Sequence, residues 1–116
     1  MKHILENLNR EAGVAGSMVI TPDGIMVSAA LGPQFEEDRV AAIVSSLLVS
    51  VRRCLTQLKA GGKLDSCSLH ASRGKIKFFD MEKSFLVVVA APEFKFEENP
   101  APVQAAIQRI KNRIGA

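Results

Sequence analysis

The chain has no tryptophan and no tyrosine, and its 116 residues include only two cysteines and two histidines. Each shortage removes a class of function. Proteins that bind single-stranded nucleic acid stack bases on aromatic side chains beside a basic groove. Here six phenylalanines are the whole aromatic complement, and they sit mainly in apolar strand or loop contexts. No nucleic-acid partner is expected. Cys54 and Cys67 form neither a metal-ligand spacing nor a disulfide framework. They read as reduced, buried, small hydrophobes of a cytoplasmic protein. No apolar run reaches the roughly 18–20 residues of a membrane span, and MKHILENLNREAG carries no signal-peptide core. No membrane insertion is expected.

Motifs of catalysis are missing as well. There is no GxxxxGK[ST], no GxGxxG after a strand and no HExxH. Glu36-Glu37-Asp38 and Glu97-Glu98 read as helix-start and loop charges rather than as an acid–base pair. His70 shares a strand face with Ser68 and Ser72, but no acidic residue on that strand could orient it as a base. Cys67 falls on the other face. The sequence therefore predicts a protein that is not an enzyme, with no catalytic residue, cofactor or metal.

What is present suits one globular domain spanning 1–116. Hydrophobic residues make up 47% and charged residues 23%, enough apolar surface for a core without disulfide support. The net charge of +3 is unevenly spread. Residues 1–38 hold two basic and six acidic side chains, whereas residues 39–83 hold nine basic and three acidic. A basic centre of this kind favours an acidic partner surface.

Periodicity orders the elements. Ile4, Leu5, Leu8 and Ala12 recur at helical spacing over 2–12, and Gly13 ends that helix. SMVI and IMVSAAL flank TPDG, a hairpin signal with Pro22 and Asp23 in the turn and Gly24 free to take positive φ. A long helix over about 36–60 follows, with acids in its first turn and Gly61-Gly62 as its stop. Three strands come next: LDSCSLHAS, KIKFFDM and FLVVVAA. The last is apolar on both faces, as a central strand covered on two sides must be. Asn99 and Pro100 read as N-cap and first residue of a final helix whose stripe is Val103, Ala106, Ile107, Ile110 and Ile114.

The segment VAAIVSSLLVSV, residues 40–51, poses the functional question, because it has no charge at all. Val40, Ile43, Val44, Leu47, Leu48, Val51, Cys54, Leu55 and Leu58 fall within an arc of about 140° on a helical projection and read as its core face. The opposite side carries Ala41, Ala42, Ser45, Ser46 and Val49 where lysine and glutamate would normally face water. Small residues admit another backbone at close range. That side is either a subunit interface or is covered by a further layer of the same chain; the interface reading is preferred, since a chain this short has few spare elements.

Three stretches together resemble the Roadblock (dynein light-chain) domain family: AGSMVITPDGIMVSAA as the leading hairpin, EEDRVAAIVSSLLVSV as the central helix, and KIKFFDMEKSFLVVVAAP as the last hairpin. The likeness extends over nearly the whole chain. It implies an α+β, profilin-like fold in the order α-β-β-α-β-β-β-α. A five-stranded antiparallel sheet would carry the long helix on one face and the terminal helices on the other. Family members form dimers through their long helices and edge strands. The resemblance thus places Ala41, Ala42, Ser45, Ser46 and Val49 in a helix pair, and Ser66, Ser68 and His70 on the edge that meets its twin.

The family includes dynein light chains, scaffolds for Ras-like GTPases, and bacterial MglB-type regulators of a small Ras-like GTPase. A domain without extensions suits a stand-alone prokaryotic member. The resemblance implies a homodimeric, non-enzymatic regulator or scaffold with a small Ras-like GTPase as partner, able to stimulate GTP hydrolysis or merely to dock. Arg39, Arg52 and Arg53 are candidate contacts for an acidic partner, and Arg52 and Arg53 read as solvated charge rather than as an arginine finger. Two other functions stay open: a small-ligand sensor using Ser66, Ser68, His70 and Ser72, and a light chain binding a motor subunit.

Overall fold

A computed structural model describes residues 1–59 and 64–113. The apolar positions at helical spacing near the N-terminus form α1, Lys2–Ala12, which buries Leu5 and Leu8. Gly13 ends it at φ 74°, and its N–H donates to the Asn9 carbonyl at 2.9 Å. The hairpin follows as β1, Gly16–Ile20, and β2, Met26–Ala30. Its turn is as the sequence predicts: the Gly24 N–H donates to the Thr21 carbonyl at 2.9 Å, and Gly24 adopts φ 90°. The long helix α2 spans Glu37–Gln57. Then come β3, Ser66–Ala71, β4, Gly74–Asp80, and β5, Phe85–Ala90. A single 3-10 turn over Phe96–Glu98 leads into α3, Ala101–Arg113.

The five strands form one antiparallel sheet in the order β2-β1-β5-β4-β3. This places β5 inside the sheet, between β1 and β4, which explains why FLVVVA is apolar at every position. The chain's α+β architecture and element order agree with the fold expected from the resemblance.

Alternation along the strands builds two cores. Met18, Ile20, Phe78, Phe85 and Val87 face α2, where Ala41, Val44 and Leu48 close over them. Val19, Leu86, Val88 and Ala90 face the other way, against Leu5 and Leu8 of α1 and Val103, Ala106 and Ile110 of α3. A polar tie holds the second layer in register. Ser17, fully buried, donates from Oγ to Asn9 Oδ1 at 2.8 Å, and Asn9 Nδ2 donates to the Ala30 carbonyl at 2.8 Å. One helix side chain thereby joins α1 to both β1 and β2.

Several expectations need correction. The buried line of α2 is Ala41, Val44 and Leu48, with Val51 and Leu55 half-buried beneath its second half. Ala41 packs on the sheet at 7% exposure and does not belong to the uncovered side. It lies only about 20° from Leu48 round the helix, so the two must point together. Ile43, Cys54 and Leu58, expected in the core, are exposed. Cys67 is half-buried rather than buried. At the start of α3, the Gln104 N–H donates to the Pro100 carbonyl, so the first helical residue is Ala101 and not Pro100. The expected stop at Gly61-Gly62 and the last stripe residue Ile114 lie outside the described residues. Within them, α2 ends with Lys59 in the left-handed region at φ 56°.

By length and composition α2 could cross a membrane. The line of Ala41, Val44 and Leu48 instead fastens it to the sheet as a layer of this domain.

Candidate interaction surface

A helix lying on a sheet can bury only the strip that faces the strands, and α2 is apolar over more of its girth than that. The surplus is visible. Ile43 is 61% exposed, Val49 45% and Leu58 71%, and Leu69 on β3 is 37% exposed. These residues fall on two flanks of the helix.

One flank is marked by Ser45. The β1–β2 turn comes so close here that a Cβ on Gly24 would overlap the Ser45 side chain, with Oγ only 2.7 Å away. Val49 lies one turn along from Ser45 on this flank, and both it and Ile25, which follows Gly24, are exposed. Ser45 is thus half-covered by its own chain's hairpin. The second flank lies about 160° round the helix from Ser45 and carries Ile43, Leu47 and Cys54, with Leu58 just beyond. The β1–β2 turn holds the Ser45 flank, so this second flank faces away from that turn, and its Leu47 packs on the α2-side core.

β3 is the last strand of the sheet, and five of its six residues are exposed. Among the described residues its outer backbone groups have no neighbouring strand, which makes the edge a template for another chain. Cys67 and Leu69 stand opposite Phe78 and Ile76 and share the α2 face. Ser66, Ser68 and His70 stand opposite Phe79, Lys77 and Lys75 and share the face of the terminal helices. The second flank of α2 and the apolar residues of the β3 edge therefore lie on the same face of the sheet, with the small or polar residues of that edge on the other.

Of the residues singled out from sequence, Ala42, Ser46 and Val49 are exposed on α2, and Ser66, Ser68 and His70 on β3. Arg52 and Arg53 are also exposed, and neither enters an ion pair among the described residues. Arg39 pairs with Glu36 at 3.3 Å in the first turn. The sequence reading missed Ile43, Leu58 and Leu69. The signal that could have found Ile43 and Leu58 was the width of the apolar arc of α2, which exceeds what one sheet face can cover. Among the described residues no three His, Cys, Asp or Glu side chains cluster as a metal site would require.

The family model of the Roadblock/LC7 domain matches residues 2–90. The chain belongs to the Roadblock/LC7 family. Its fold matches a Roadblock/LC7 domain from Streptomyces avermitilis with a TM-score of 0.85, at 14% identity, over 100% of this chain and 98% of that one. Myxococcus xanthus MglB matches with a TM-score of 0.83, at 11% identity, over 98% of this chain and 94% of that one. In sequence, the uncharacterized protein MJ0714 of Methanocaldococcus jannaschii is 29% identical over 108 residues, which cover 93% of this chain and 91% of the relative. At these identities the structural matches bear on the fold, and the function has to be argued from the surface.

Proposed function

We propose that this Roadblock/LC7 chain is a non-enzymatic, homodimeric cytoplasmic regulator or scaffold whose paired surface binds a small Ras-like GTPase. The observation that carries the self-association is the exposed apolar flank of α2, Ile43 and Leu58, on the same face of the sheet as Leu69 of the edge strand β3. A two-fold arrangement would satisfy both features at once. The β3 edges would pair and extend the sheet, and the α2 flanks would cover each other. Exposed large apolar side chains grouped on one face in this way mark interaction surfaces more often than open water.

The GTPase part of the reading rests on family resemblance and on charge. Arg52 and Arg53 lie exposed on the second half of α2, without an intramolecular ion pair among the described residues, where an acidic partner would meet them. Ala42, Ser46 and Val49 remain as a small-residue strip along the outer side of the helix, able to admit a partner's backbone closely.

The test has two stages. Solution mass should give a dimer that dissociates on Ile43→Glu. The folded dimer should then retain a Ras-like GTPase from the same organism in a nucleotide-dependent manner when GTP-loaded and GDP-loaded forms are compared. A monomeric wild type overturns the first stage, and equal failure with both nucleotide forms overturns the second.

A further inference from the structure

The face of the sheet away from α2 carries a pocket of about 340 Å³ between β4, the 3-10 turn and the first turns of α3. Its walls are Phe79, Phe96, Pro100, Val103 and Ile107. Phe79 and Phe96 meet edge to face, with ring centroids 6.0 Å apart. The volume lies in the range of small-molecule sites, which are typically apolar with a few placed polar groups.

The polar groups here are unevenly matched. Two lysines project from β4 toward this face. The Lys75 ammonium is used, since it donates to the Phe94 carbonyl. The Lys77 ammonium is not: it rests over the rings of Phe79 and Phe96, 5.1 and 5.5 Å from their centroids. It has no hydrogen bond or ion pair among the described residues. Ser68 stands directly across from Lys77 on β3 and shares its face, within the ~5 Å Cβ spacing of a cross-strand pair. Gln104 adds an amide to the wall. Glu97 also lines the pocket but makes no ion pair with Lys77. A cation held on two aromatic rings at the edge of an apolar cavity is complementary to one negative charge on an apolar body. The carboxylate of Glu97 opposes any anion at this site, so one negative charge is the most that Lys77 can offset.

We propose that this pocket binds a small amphipathic carboxylate, its apolar body against Phe79, Phe96, Val103 and Ile107 and its head group on Lys77. A chain of about eight carbons fits a site of this size. None of the lining residues lies on α2 or β3, so the site stands whether or not the chain dimerises.

Sodium octanoate is the probe, titrated into the full chain and followed by two-dimensional NMR, with octan-1-ol and octylammonium as partners lacking the negative head. Saturable shifts are expected at the Gln104 side-chain amide and the Val103 and Ile107 methyls. Lys77→Met should weaken octanoate at least about tenfold and leave octanol unchanged, and Lys77→Arg should restore most of the affinity. Thermal melting of each variant establishes that it is folded. The proposal is overturned if octanoate gives no saturable shifts at millimolar concentration, if octylammonium binds as well, if the shifts fall on Ile43 and Val49 of α2, or if Lys77→Met binds octanoate as the wild type does.

Discussion

Gly24 and Ser45 are in van der Waals contact across the gap between the β1–β2 turn and the middle of α2. Gly24 holds φ 90°, and any Cβ there would overlap the Ser45 side chain. Two separate demands therefore meet at one glycine: a left-handed backbone and an absence of volume. Gly24→Ala should cost about 1–3 kcal/mol in urea unfolding. Combining it with Ser45→Gly should return the share due to overlap and leave the share due to φ. A Gly24→Ala protein as stable as the wild type would contradict this contact.

Asn9 supplies another joint that no local pattern announces. Its amide accepts from the buried Ser17 hydroxyl and donates to the Ala30 carbonyl. Asn9→Leu leaves both groups without that partner, and a loss of about 2–4 kcal/mol is expected in denaturant melts. Ser17→Ala alone should cost less, because Asn9 keeps its bond to Ala30.

Ser84 makes the opposite case. It is 2% exposed, and its hydroxyl oxygen has no hydrogen-bond partner among the described residues. Ser84→Ala removes that burden at little loss of volume. Stability should be unchanged or rise by up to about 1 kcal/mol. A clear loss in calorimetry would mean that a buried water satisfies the hydroxyl.

Leu48 and Ile43 separate folding from association. Leu48, 1% exposed, is held between α2 and the sheet, so Leu48→Ala should lower stability by about 2–5 kcal/mol. Ile43 contacts water over most of its surface. Under the proposed dimer, Ile43→Ala should leave the secondary structure intact and weaken self-association in sedimentation equilibrium by about tenfold or more. Val49→Glu, on the other flank of the same helix, should disturb the dimer less than Ile43→Glu does.

The order of elements was readable because each depends on a short period in the chain. Ile4, Leu5 and Leu8 mark a helix, TPDG marks a turn, and FLVVVA marks a strand covered on both sides. These signals act over a few residues, and the backbone obeys them wherever the element lies in the fold. Even the uncharged stretch of α2 correctly announced that the helix has more apolar surface than one layer can bury.

The inward side of α2 was readable in part: Val44 and Leu48 are buried and Val40 and Leu47 pack on the core as expected, but the arc was centred too far toward Ile43. Centring the apolar arc placed Ile43, Cys54 and Leu58 in the core and Ala41 outside, because large side chains outweigh alanine in any pattern. The sheet decides differently. Close approach of helix to strand favours a small residue at the contact, so Ala41 joins Val44 and Leu48 on the sheet and Ile43 is turned out. The same holds for the tie between Asn9, Ser17 and Ala30 and for the pocket that Lys77 shares with Phe96. Their partners are 8 to 21 residues apart in the polar tie and come from different elements in the pocket. Such groupings exist only after the layers have packed, because burial and hydrogen bonding across layers, unlike helical and strand periodicity, are properties of neighbours that the chain brings together in space.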